Sequence, residues 1–128
     1  MAGYVLIVDD NQDARDVFGT VLNFYGLKTK IAATGEQALA FARQQTPDLI
    51  LLDLMMPEMS GFQVIVHLRS DTATRKVPIV VISACGMNSN DIKNLPGVTH
   101  VIPKEKFNVS TLKEVVSETL GRDLQTAQ

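Results

Sequence analysis

Three segments of the sequence run apolar without a break and then stop at a polar residue: Tyr4-Val-Leu-Ile-Val8 before Asp9-Asp10, Leu49-Ile-Leu-Leu52 before Asp53, and Val77-Pro-Ile-Val-Val-Ile82 before Ser83. A strand with one wet face alternates apolar and polar residues. A continuous run marks a strand buried on both faces, as in a parallel sheet covered by helices. Amphipathic patterns separate these runs. Val17, Phe18, Val21, Leu22 and Tyr25 recur at helical spacing ahead of Gly26, a residue suited to ending a helix. Thr29 to Ala33 reads as a second strand. Thr34, with Gln37 at capping-box spacing, opens a second helix that Pro47 closes.

After Asp53, Ser60 is placed to cap a third helix carrying Phe62, Ile65, Val66 and Arg69. The fourth strand, Val77 to Ser83, is entered through Pro78, which a strand tolerates at its start. His100 to Ile102 gives a brief fifth strand, and Leu112, Val115, Val116, Thr119 and Leu120 form the stripe of a last helix ended by Gly121. The Gly86 to Gly97 stretch is poor in helix formers, which shortens the expected fourth helix to Ser89 through Leu95. Strand and helix thus alternate as (βα)5, and right-handed crossovers wind helices onto both faces of a five-stranded parallel sheet.

At 128 residues the chain is expected to be one domain, 1–128, with its core over about residues 4–120 and a tail over 121–128. Hydrophobic residues at 45% and charged residues at 20% exclude disorder. A net charge of -2 argues against a dedicated nucleic-acid or anionic-membrane surface. No apolar run approaches the roughly 20 residues of a membrane-spanning helix, so a soluble, cytoplasmic chain is expected. The lone Cys85 forms no internal disulfide and has no second cysteine or paired histidine to share a zinc ion.

In an open parallel sheet, ligands bind beyond the carboxyl ends of the strands. Asp9 and Asp10 follow the first strand, Asp53 the third, Ser83 ends the fourth, and Lys104 lies just past the fifth. Each has an ordinary explanation alone: Asp10 as a helix cap, Asp53 as a turn residue, Lys104 as a surface charge. Jointly, the topology brings them to one rim. Carboxylates there repel, two unit charges about 4 Å apart costing roughly 4 kcal/mol at an effective dielectric of about 20. Lys104 offsets part of this, and an oxygen-only donor set suits Mg²⁺. Without a metal, at least one acid should hold its proton more tightly.

A carboxylate beside a metal and a lysine can attack a phosphoryl group to give an aspartyl-phosphate. Asp53 is the best nucleophile, because it follows a fully apolar run and precedes the loop from Met55 to Gly61. Asp9 and Asp10 are better placed as a pair reaching one ion. Lys104 and Mg²⁺ would neutralise the phosphoryl oxygens, and the Ser83 hydroxyl would donate to one of them.

The motifs Val-Leu-Ile-Val-Asp9-Asp10-Asn11, Leu-Ile-Leu-Leu-Asp53-Leu-Met-Met-Pro57-Glu-Met-Ser-Gly61, Pro78-Ile-Val-Val-Ile-Ser83-Ala84 and Pro103-Lys104-Glu-Lys-Phe107 together resemble the response-regulator receiver domain. This is the CheY-like, flavodoxin-like phosphoacceptor of two-component signalling, and the likeness runs from Tyr4 to about Leu120. The resemblance implies phosphorylation at Asp53, and Mg²⁺ held by Asp9 or Asp10 with Asp53 and the Met55 backbone carbonyl. It further implies that Ser83 is the switch hydroxyl and that Lys104 binds the phosphoryl group. The implied donor is a histidine kinase, a histidine phosphotransfer protein or a small acyl phosphate, with the receiver catalysing the transfer to itself. An unidentified downstream protein would read the face formed by the fourth helix, fifth strand and fifth helix, on a monomer or a phosphorylation-dependent dimer.

Three departures from that family stand out. Pro103 precedes Lys104 and Glu105 follows it, where the family has Lys followed by Pro with a cis peptide between. Val101 stands where an aromatic ring is usual, so output must run through the backbone from Ser83 to Met87 and the short fourth helix. Met55 and Cys85 occupy positions where polar residues orient an attacking water, so a long-lived phosphoryl group is expected.

Other readings fit less well. A haloacid-dehalogenase-like phosphatase needs a second Asp where Met55 stands, and a dinucleotide-binding turn needs glycines where Asp-Asp-Asn-Gln stands. A receiver-like module that docks without being phosphorylated is the serious alternative. His67 and His100 have no partner at metal-ligand spacing, and a turn and core packing account for Met55, Met56 and Met59. Arg69, Asp71, Arg75 and Lys76 are expected to form an exposed charged loop, solubilising or partner-choosing.

Overall fold

Burying Leu49–Leu52 on both sides requires a neighbouring strand on each edge and a helical layer on each face, and the fold supplies all four. The computed structural model describes residues 3–84 and 89–125. Along the chain run β1 (Val5–Val8), α1 (Gln12–Phe24), β2 (Thr29–Ala32), α2 (Gly35–Gln44), β3 (Leu49–Leu52), α3 (Gly61–Ser70), β4 (Ile79–Ser83), α4 (Ser89–Lys93), β5 (Val98–Pro103) and α5 (Val109–Leu120), with a 3-10 turn at Lys104–Lys106. The sheet is wholly parallel in the order β2-β1-β3-β4-β5. The doubly wound five-stranded architecture read from the sequence is therefore the one observed.

Alternate residues of β1, β3 and β4 serve two cores. Leu6, Val8, Ile50, Leu52, Ile79 and Val81 pack against Ala38, Leu39, Val64, Ile65, Leu68 and Ile92 from α2, α3 and α4. Val5, Ile7, Leu49, Leu51, Val80 and Ile82 pack against Phe18, Leu22, Leu112 and Val116 from α1 and α5. Each such Leu, Ile or Val contributes about 1.5–3 kcal/mol when fully buried. Leu124, expected to lie in a tail, belongs to this second core. Cooperative packing therefore extends past α5.

The caps follow the sequence closely. Asn11, rather than Asp10, caps α1 by accepting the Ala14 N–H at 2.9 Å, which leaves Asp10 free of that duty. Thr34 accepts the Gln37 N–H at 3.1 Å, while the Gln37 side chain reaches back to the Ala33 N–H instead of completing the box on Thr34. Ser60 and Gln63 make the full reciprocal box on α3. Gly121 ends α5 in the left-handed conformation at φ 70.

Several expectations are corrected. Helix α4 ends at Lys93, short of Leu95. Strand β4 begins at Ile79, beyond Pro78, and β5 is twice the expected length because Val98 pairs with Ile79 and Pro103 with Ser83, with an irregularity between Ile79 and Val80 that takes in Thr99. Val17 and Val66 face solvent at 45% and 64% exposure, outside the buried stripes of their helices. Arg69 is no loop charge: from α3 its guanidinium donates to the carbonyls of Pro96, Thr74, Arg75 and Val77 at 2.7–2.9 Å. It fastens the α3–β4 and α4–β5 connections together. Met56 is buried and Met59 packs on the core as expected, whereas Met55 is exposed. Cys85 and most of the loop from Ser83 to Met87 lie outside the described residues.

Candidate functional site

Parallel register decides where the acids meet. Val8 pairs with Leu52, so the residues one step beyond, Asp9 and Asp53, leave adjacent strands side by side. Backbone bonds fix both exits: Asp9 N–H donates to Ala32 at 3.1 Å and Asp53 N–H to Val8 at 2.9 Å. Ser83 ends β4 on the other side of β3, and Lys104 follows β5 at the sheet edge. Crossing from β5 to β1 takes a long cationic side chain, and the Lys104 ammonium arrives 2.9 Å from Asp9 Oδ2 and 3.6 Å from Asp53 Oδ2.

Asp9, Asp53 and Ser83 are all buried, at 1%, 4% and 4% exposure, whereas Asp10 is open to solvent. Asp53 Oδ1 accepts the Ser83 hydroxyl at 3.0 Å and the Met55 N–H at 3.1 Å. Asp9 Oδ1 accepts the Asn11 N–H at 2.9 Å. Burial pushes the Asp53 carboxyl above its ordinary range; the Met55 N–H opposes this, the Asp9 charge adds to it, and Lys104 and Ser83 oppose it. Burial alone would lower the Lys104 ammonium, but Asp9 and Asp53 outweigh it and its pKa is raised. The expected metal-free penalty thus falls on Asp53.

One observation tests whether a cation fits. Asp9 Oδ2 is buried, and its partner among the described residues is the Lys104 ammonium at 2.9 Å, which leaves part of the oxygen's capacity free for a further cation. Such an oxygen is costly unless something binds it. Asp9, Asp10 and Asp53 each bring a carboxylate oxygen within 4.8 Å of the others. An all-oxygen set of that size, open to water on the Asp10 side, fits Mg²⁺, which keeps several waters.

Asp9, Asp10, Asp53, Ser83 and Lys104 gather here, with the Met55 N–H on Asp53, whereas the two histidines lie elsewhere. His67 is exposed on α3, and His100 points to α5, with Nε2 3.0 Å from Glu118 and Nδ1 3.2 Å from the Thr99 hydroxyl. No peptide among the described residues is cis; Lys104 instead opens the 3-10 turn, closed by the Phe107 N–H on the Lys104 carbonyl at 3.2 Å. Three contributors escaped the sequence reading. Asn11 orients Asp9, and the Asp-Asp-Asn string held that signal. Arg15 donates to the Asp9 carbonyl at 2.8 Å, for which the sequence held none. Gly61 lets α3 lie against the strand exit, since a Cβ there would stand 2.5 Å from the Asp53 carbonyl oxygen.

A cluster of acids and a lysine at the carboxyl rim of a sheet ordered 2-1-3-4-5 defines a CheY-like α/β domain. Vibrio cholerae chemotaxis protein CheY4 superposes with a TM-score of 0.84 at 28% identity, over 94% of this chain and all of that one. The chain belongs to the response regulator receiver domain family, whose model matches residues 5–117. The polar-differentiation response regulator DivK of Brucella ovis is 30% identical over 121 residues, 94% of this chain and 98% of DivK. The receiver domain of a Pseudomonas aeruginosa sensor histidine kinase, solved with magnesium in its active-site cleft, is 25% identical with a TM-score of 0.83, covering 94% and 99% of the two chains. Among the described residues no helix is long and apolar enough to cross a membrane.

Proposed function

We propose that this chain is a phosphoacceptor whose Asp53 takes a phosphoryl group from a histidine kinase, a histidine phosphotransfer protein or a small acyl phosphate in the cytoplasm. The reading is carried by the buried Asp53 carboxylate, with Ser83 at 3.0 Å and the Lys104 ammonium at 3.6 Å. Asp9, Asp10, Asp53 and the Met55 carbonyl would hold Mg²⁺, which supplies charge neutralisation for the phosphoryl oxygens when bound.

An Asp53 oxygen attacks phosphorus, forming an O–P bond as the P–N bond to the donor imidazole breaks. The electron pair leaves on the imidazole nitrogen; with an acyl phosphate it leaves on the carboxylate oxygen. Lys104 stays charged, because its pKa is raised, and pairs with a phosphoryl oxygen as negative charge gathers. Ser83 trades Asp53 Oδ1 for another phosphoryl oxygen. That movement passes along the backbone after Ser83 to α4, β5 and α5, since Val101 offers no ring to relay it. A downstream protein reads that face.

Incubation with acetyl phosphate and Mg²⁺, followed by intact mass measurement, tests this. One added phosphoryl group that Asp53→Asn abolishes supports the reading. An unmodified wild-type chain would leave docking without phosphorylation.

A further inference from the structure

The Arg15 guanidinium makes an unusual choice. It sits in the first turns of α1, where the helix dipole disfavours a cation, and Asp13 and Asp16 flank it in sequence. Among the described residues it forms no ion pair. Instead the half-buried side chain turns back to donate Nη1 to the Asp9 backbone carbonyl at 2.8 Å.

That carbonyl belongs to the peptide joining Asp9 to Asp10. The Asp9 side is already held, its N–H by Ala32 and its Oδ1 by the Asn11 N–H. The exposed Asp10 carboxylate has no hydrogen bond or ion pair among the described residues, so its reach toward the other acids depends on where the backbone holds its Cα, and the planar peptide before it carries that atom. The Asn11 N–H holds the peptide after Asp10, and Arg15 holds the peptide before it, so Arg15 helps place the one acid of the three whose carboxylate makes no bond of its own. We propose that Arg15 is a positioning residue for the acidic centre: by clamping the Asp9 carbonyl it makes Asp9 and Asp10 converge with Asp53 on one divalent cation.

This inference rests on the Mg²⁺ site proposed above, and calorimetric titration of the full chain with Mg²⁺ separates the two. Loss of a group that orients a metal ligand weakens metal binding by about 10–100-fold, so Arg15→Ala should lose about tenfold. Arg15→Lys, which keeps one donor, should recover part of the loss. Simple charge removal predicts the opposite sign, because deleting a nearby cation favours binding of another. The metal-free melting midpoint of both variants should stay near wild type. Phosphorylation by acetyl phosphate should return toward the wild-type rate when Mg²⁺ is raised to saturation.

Unchanged or tightened Mg²⁺ binding in Arg15→Ala overturns the inference alone. So does a metal-free loss of stability in both variants that accounts for the weaker binding. A wild-type chain that binds no Mg²⁺, like Asp53→Asn, overturns the site itself and this inference with it.

Discussion

The Ser83 hydroxyl donates to Asp53 Oδ1 across 3.0 Å, so the end of β4 is tied directly to the carboxylate at the end of β3. The bond gives the resting pocket a defined geometry. It also makes the position of β4's last residue depend on what Asp53 carries, which is the coupling a two-state element needs.

The raised Asp53 pKa has a consequence for stability. Its folded value lies above the unfolded one, so between the two the native state binds more protons and stability falls as pH rises through that window. Above the folded pKa the penalty is complete. Asp53→Asn should therefore raise the metal-free melting midpoint at neutral pH, by roughly 3–6 °C for each kcal/mol relieved. Mg²⁺ should stabilise wild type more at pH 8 than at pH 4 and Asp53→Asn little at either; thermal melts at both pH values measure this.

Lys104→Ala leaves Asp9 buried with no cation beside it. Breaking a fully buried pair costs about 3–5 kcal/mol, and partial exposure of the ammonium should bring this nearer to about 2 kcal/mol. Because the Lys104 pKa is raised on folding, its contribution is complete below the unfolded value and is lost as pH rises through the folded one. Denaturant unfolding should show the gap to wild type closing in strong alkali. Equal stability at pH 7 would count against the pairing.

At Gly61 a Cβ would meet the Asp53 carbonyl oxygen at 2.5 Å and the Leu54 Cα at 2.6 Å, both backbone atoms that cannot swing aside. Gly61→Ala should cost about 1–3 kcal/mol, the range for overpacking. Because the displaced peptide carries Asp53, acetyl phosphate labelling should slow as well. A variant with wild-type stability and labelling would falsify this account of the contact.

Met55 is 59% exposed two residues after Asp53, and on the proposed reading it presents a thioether where a polar side chain would align water. The Asp53 phosphoryl group should consequently persist for minutes or longer in Mg²⁺ buffer, and Met55→Asn should shorten its lifetime. Loss of the added mass within seconds in wild type would contradict this.

The strands and the meeting of Asp9, Asp53, Ser83 and Lys104 were legible because both depend on pattern: unbroken apolar runs demand two covered faces, and parallel order then dictates which termini are neighbours. The extent of β5 was hidden, since Val98 pairs with Ile79 ahead of an irregularity at the polar Thr99, and Pro103 pairs with Ser83 although proline argues against a strand. Arg69 and Arg15 were hidden for another reason. Each spends its guanidinium on backbone carbonyls supplied by chain turns, and such acceptors leave no trace in residue type.

Lys104 hangs from β5, an outermost strand held along one side only. Should that border fray, the amine departs while Asp53 stays behind, now facing Asp9 with no counter-charge. On the proposed reading such a copy would accept phosphate poorly, so that labelling by acetyl phosphate would report on the integrity of the border strand as well as on the pocket.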